Sequence, residues 1–139
     1  MSDDFPITIY HNPDCGTSRN TLALIEAAGY HPTVVDYLKT GWTRPKLEAL
    51  FAAMNVKPRD VLREKGTPAV ELGLLDPSVG DSLILDAMVA NPILVNRPIV
   101  VTPIGIKLTR PSEIVLDLLS RSPTSFTKEN GEVVIPESP

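Results

Sequence analysis

Ile7-Thr8-Ile9-Tyr10-His11-Asn12-Pro13-Asp14-Cys15-Gly16-Thr17-Ser18-Arg19 is the stretch whose reading decides the fold. Its first four residues are β-branched or aromatic and stop at the turn-forming His11-Asn12-Pro13-Asp14, so a short strand runs into a loop. From about Thr17 to Ala28 the pattern changes. Leu22, Ile25 and Ala28 recur at helical spacing, and Gly29 supplies the stop. Thr33 to Tyr37 then reads as a second strand. Two strands joined by a crossover helix are expected to lie parallel, because a helical crossover is the usual way to connect such neighbours.

Downstream, Thr43-Arg44-Pro45 opens another helix, with Thr43 as N-cap and Pro45 in the first turn, where its missing N–H costs nothing. Leu47, Leu50, Phe51 and Met54 give that helix one apolar side. Residues 58–91 read as a helical insertion, with pieces around Asp60 to Lys65 and Asp81 to Ala90 separated by Gly66, Pro68, Gly73, Pro77 and Gly80. Ile99 to Thr102 and Ile106 to Leu108 are strands close enough for an antiparallel hairpin through Pro103-Ile104-Gly105. A last helix begins at Pro111 and presents Ile114, Val115, Leu118 and Leu119. After Ser120 the composition turns polar, with only Val133-Val134-Ile135 able to pack, so residues 120–139 are expected to be mostly irregular. This order resembles the thioredoxin-like architecture: an α/β mixed sheet with flanking helices and a helical insertion between the second helix and the third strand. A single domain over residues 1–139 is expected.

Composition narrows the function. The 139 residues are 42% hydrophobic, and a domain of this size buries roughly two-thirds of its unfolded surface, enough for one core without staples. Thirteen Lys and Arg against 17 Asp and Glu give a net charge of −4, which argues against nucleic-acid or anionic-membrane binding. Asp3 and Asp4 stand where a secretory signal would be basic, and no apolar core follows. Ile93 to Ile106 is too short and too broken to span a bilayer. The cytoplasm is therefore the expected compartment, where a single cysteine stays reduced. Cys15 has no intramolecular partner, and a metal site assembled from Cys15, His11, His31 and carboxylates is not expected.

The chemistry concentrates around Cys15. At the end of a strand-to-helix loop its sulfur would meet the unpaired N–H groups and positive dipole end of the helix, which stabilise a thiolate. The same N–H groups can hold an oxyanion, with the hydroxyls of Thr17 and Ser18 as further donors. The blander alternative is a small buried hydrophobe with hydroxyls that merely cap the helix. Ser18 stands where a Cys-x-x-Cys motif would have its second thiol, so this site cannot close its own disulfide. Arg19 lies four residues after Cys15, whereas the Cys-x5-Arg phosphatase loop needs its arginine six residues after. His11 is as readily a structural strand-end histidine as a partner for the thiolate. Arg63, Arg97 and Arg110 could fork onto an oxyanion, although spacing alone makes each a surface charge. Pro98, after Arg97, resembles the cis-proline of thioredoxin-like folds.

Three blocks together carry a more specific resemblance: His11 to Thr21, Asn96-Arg97-Pro98-Ile99-Val100-Val101-Thr102-Pro103, and Arg110-Pro111-Ser112-Glu113. From about Ile7 to Lys128 the chain is similar to the glutaredoxin-dependent arsenate reductase family. That resemblance implies that Cys15 attacks arsenate; His11, from its place at the strand end, is the candidate catalytic partner. Arg63, Arg97, Arg110 and the Gly16-Thr17-Ser18 turn would hold the oxyanion. Glutathione would attack the adduct as co-substrate, glutaredoxin would remove the glutathione, and arsenite would leave, with no bound cofactor. Asp14, beside the thiol, opposes thiolate formation unless its carboxylate points away. A monomer is expected. The competing readings are a monothiol glutaredoxin-like thiol transferase and an Spx-type transcription regulator. The latter typically carries Cys-x-x-Cys.

Overall fold

The computed structural model describes residues 5–123 and 125–134. They form β1 (Thr8–His11), α1 (Gly16–Ala27), β2 (Thr33–Asp36), α2 (Tyr37–Thr40), α3 (Arg44–Met54), α4 (Asp81–Ala90), β3 (Ile99–Val101), β4 (Ile106–Leu108), β5 (Phe126–Thr127) and β6 (Val133–Val134). Short 3-10 helices occupy Pro58–Val61, Pro92–Leu94 and Ser112–Leu118. The main sheet runs β2-β1-β3-β4: β1 is parallel to β2 and antiparallel to β3, and β3 is antiparallel to β4. The expected parallel pair and the expected hairpin are both present, and the arrangement is thioredoxin-like.

The chain divides into two compact units, Met1–Asp36 with Arg97–Pro139, and Tyr37–Asn96. In the first unit, Ile7 and Ile9 share a buried cluster with Val100, with Leu24, Ile25 and Ala28 at the α1 end, and with Val115, Leu118 and Leu119. α1 stops as its sequence predicts. Gly29 takes φ +93°, a conformation L side chains rarely adopt, and its N–H reaches Glu26 O at 2.9 Å. Arg121 then donates to the carbonyls of Ala28 and Gly29 and stacks over Tyr30, a cation at the negative end of the helix. The last helix, expected to be α-helical from Pro111, is a 3-10 helix. Its buried residues Ser112, Val115 and Leu118 recur every third residue, which lines them along one face at three residues per turn.

The second unit holds α3, α4 and the turns between them. Thr43 caps α3 through Lys46 N at 3.3 Å, and Leu47, Leu50 and Phe51 are buried. The helix expected around Asp60 to Lys65 is instead a single 3-10 turn that ends at Val61. Leu62 is extended and bridges Val95, and Arg63 N–H and Asn96 N–H bond to Leu94 O and Val61 O at 2.8 Å each. A long-range backbone pairing thus outweighs local helix propensity there. α4 spans its expected residues and buries Ile84, Leu85 and Met88.

The tail also differs from its composition. Residues 126–134 form a two-stranded hairpin, closed by Lys128 N–H to Glu132 O at 2.8 Å and Gly131 N–H to Lys128 O at 2.9 Å. Ile135, grouped with Val133 and Val134 by its hydrophobicity, lies outside the described residues. No helix among the described residues is long and apolar enough to cross a membrane.

Candidate active site

All the groups around Cys15 described next lie in the first unit. The loop between β1 and α1 is built on Asn12. This side chain is 3% exposed, and its Oδ1 accepts the Asp14 N–H at 2.9 Å, while Asn12 O accepts the Cys15 N–H at 3.0 Å. The loop closes on itself and delivers Cys15 as the N-cap of α1, in extended conformation. Asp14 is exposed.

The serine that replaces a second thiol has a different task from the one its hydroxyl suggests. Ser18 is fully buried. Its Oγ accepts the Asn12 N–H at 3.0 Å and lies 2.7 Å from His11 Nδ1. His11 therefore meets Ser18, not the sulfur, and ties the end of β1 to the first turn of α1. Burial, the largest effect, lowers the histidine pKa from its ordinary value, the Asp36 charge opposing and Arg19 adding to it. What Ser18 offers the sulfur is its backbone N–H. Cys15 closes no short capping bond, yet that N–H still favours the charged thiolate.

Two arginines flank the β3–β4 hairpin, whose first strand pairs with β1. Arg97 precedes β3 and Arg110 follows β4, so the β3–β4 hairpin brings both to the α1 end of the site. The Arg97–Pro98 peptide is cis, as the fold resemblance implies, and so is Arg110–Pro111. Arg110 Nη1 lies 3.5 Å from Cys15 Sγ and 3.1 Å from Arg97 O. Cys15 is 7% exposed. Burial alone raises a thiol pKa and is the largest effect here, but the Ser18 N–H, the Arg97 charge and the Arg110 guanidinium together outweigh it. The net shift is downward.

A buried hydroxyl pair holds the arginine segment to the thiol helix. Thr109 N–H bonds to Pro98 O at 2.9 Å, and Thr109 Oγ1 is 3.3 Å from Thr21 Oγ1, which donates to Thr17 O at 2.9 Å. Both threonines are fully buried. Neither stood out in the sequence, because a threonine in a helix and another at a strand end carry no pattern until the fold joins them.

Among the predicted oxyanion groups, Gly16, Thr17 and Ser18 form the first turn of α1. Arg63 lies in the second unit, where its Nε donates to Lys65 O at 3.0 Å and its carbonyl accepts from Thr67. Arg19 turns outward. Its Nε and Nη2 bond Glu129 at 2.8 and 2.9 Å, and Nη1 donates to Pro13 O at 2.8 Å. Among the described residues there is no group of three or more His, Cys, Asp or Glu that could hold a metal ion.

Fold and site together define a thioredoxin-like protein with a single acidified cysteine at a helix start and guanidinium groups beside it. The chain belongs to the ArsC family, whose model matches residues 10–118. It is similar to arsenate reductase ArsI2 of Synechocystis sp., 62% identical over 132 residues covering 94% of each chain. The arsenate reductase of Rhizobium meliloti is 58% identical over 130 residues, 93% of each chain. Among solved structures, the arsenate reductase from Vibrio cholerae aligns with a TM-score of 0.78 at 38% identity, covering 83% of this chain and 98% of that one.

Proposed function

We propose that this protein is an arsenate reductase that works through one covalent cysteine–arsenic adduct, with glutathione and glutaredoxin as the source of electrons. The observation that carries the reading is the lone thiol of Cys15 with its pKa lowered, Arg110 Nη1 at 3.5 Å and the open N-terminus of α1 beside it. A thiolate and an oxyanion site coincide at that point. Arsenate is a tetrahedral oxyanion that a thiolate can attack.

The Cys15 thiolate attacks arsenic(V), and an oxygen leaves as water. Arg97, Arg110 and the N–H groups of Gly16, Thr17 and Ser18 stabilise the oxygens as charge redistributes, which is the work of preorganised electrostatics. The resemblance adds Arg63 to that set. Glutathione bonds to arsenic and displaces a second oxygen as water. The glutaredoxin thiolate then takes the glutathionyl sulfur as a mixed disulfide. The electron pair of the broken sulfur–arsenic bond stays on arsenic, now trivalent. Hydrolysis frees arsenite and returns Cys15 as a thiol, so two external thiols are oxidised and Cys15 is not. His11 acts through Ser18 as a positioning residue. The reaction runs in the cytoplasm, in a monomer of one catalytic domain, with no bound cofactor, nucleic acid or membrane.

The test follows from the electron count. Purified protein should turn over arsenate with glutathione and glutaredoxin, and should stall when either is omitted. Sustained turnover with thioredoxin as the sole thiol source would overturn the mechanism.

A further inference from the structure

The C-terminal hairpin lies outside the stretch matched by the family model, residues 10–118, yet it reaches the nucleophile loop. Its turn makes three polar contacts within the first unit. Lys128 Nζ pairs with Glu113 at 2.7 Å on the 3-10 helix that follows Arg110, and the lysine side chain is only 10% exposed. The Glu129 N–H donates to Asn20 Oδ1 at 3.1 Å on α1. The Glu129 carboxylate takes both Nε and Nη2 of Arg19, whose remaining Nη1 holds the Pro13 carbonyl, two residues before the nucleophile. Beneath them Phe126 packs on the core cluster. Arg19 and Glu129 are 44% and 50% exposed, so solvent screens the charge, and what links the hairpin to the loop is the geometry of one planar guanidinium bonded to a carboxylate and a carbonyl at once.

We propose that the 126–134 hairpin is a brace for the active-site loop, with Glu129 and Arg19 as positioning residues that hold Pro13 and so the thiol of Cys15 against the Arg110 segment. The inference rests on the reading of Cys15 as the arsenate nucleophile. Glu129 is a brace and not an electrostatic helper: a carboxylate near the site disfavours a thiolate, so by charge alone its removal would speed the chemistry. The brace requires the opposite.

Glu129→Ala, Arg19→Ala and the double variant test this in two arms. In the first, amide hydrogen exchange is followed by mass spectrometry with no substrate. Glu129→Ala should speed exchange in residues 11–19 by about tenfold while β3 and β4 stay protected, the mark of local and not global opening. In the second, kcat for arsenate should fall about fivefold with KM changed less than about twofold, as expected when a nucleophile is misplaced and not when binding is lost. Glu129→Asp should recover most of kcat, and the double variant should be no worse than either single one. Unchanged exchange in residues 11–19, exchange raised equally across the sheet, or an unchanged or increased kcat would each overturn the brace. A wild-type protein that turns over no arsenate would refute the functional reading alone, since the exchange arm still decides the brace.

Discussion

Replacing Arg110 by Ala removes a cation that lies beside the sulfur. At 3.5 Å, Nη1 and a thiolate attract by about 1 kcal/mol in water and about 5 kcal/mol at the effective dielectric of a protein surface. Arg110 is exposed, so solvent screens the pair and the lower part of that range governs. Arg97 and the Ser18 N–H also remain to stabilise the thiolate. A loss of about 1.4 kcal/mol corresponds to about a tenfold smaller thiolate fraction at a pH below the thiol pKa. Iodoacetamide reacts with the thiolate, so pseudo-first-order alkylation of Cys15, followed on the rising limb of its pH–rate profile and read by intact mass, should slow by about tenfold in Arg110→Ala. Arg110→Lys keeps a point charge and should recover part of the rate. Equal or faster alkylation in Arg110→Ala would refute the argument that guanidinium proximity sets the acidity of this thiol.

The buried threonine pair makes a second prediction. Thr21→Val preserves shape but breaks the link from Thr109 to Thr17 O, and kcat/KM for arsenate should fall about tenfold, the worth of one buried hydrogen bond, with Thr21→Ser close to wild type. Arg63→Ala should lower kcat/KM for arsenate by roughly a hundredfold, about 3 kcal/mol, with little change in Tm, and a kinetically silent variant would return Arg63 to a surface role. The hairpin should also loosen in acid. Burial raises the Glu113 carboxyl but hydrogen bonding and charge from Lys128 outweigh it, and bonds from Arg19 lower Glu129, so both pKa values lie below their ordinary value. A lowered folded-state pKa gives stabilisation that is complete above the unfolded value of about 4.3 and is lost as pH falls through the folded one. Amide exchange in residues 126–134, corrected for intrinsic rates, should therefore rise as pH drops below about 4.

How far the sequence carried can be judged residue by residue. The β1–α1–β2 unit was legible because Ile7 to Tyr10, Leu22, Ile25 and Gly29 obey two local periods and one stop signal that tertiary contacts leave undisturbed. Arg97 and Arg110 were marked by the prolines that follow them, but only the register of β3 on β4 brings them together. The sequence misjudged residues 60–65, where the pairing of Leu62 with Val95 joins positions far apart in the chain. It also missed the 126–134 hairpin, whose two-residue strands are too short for a period to appear. Ser18 was read as a hydroxyl donor to substrate. Its burial under Asn12 and His11 depends on backbone geometry that no residue pattern encodes.

The central claim is that one thiolate performs the first chemical step, and the most direct measurement is arsenite formation from arsenate by wild type and Cys15→Ser under identical glutathione and glutaredoxin. The swap is nearly isosteric and removes only the nucleophile, so the folded variant should show no arsenite above the enzyme-free background while wild type turns over many times. A Cys15→Ser protein that retains a rate within about tenfold of wild type would contradict the account, because no other thiol exists in this chain to take its place.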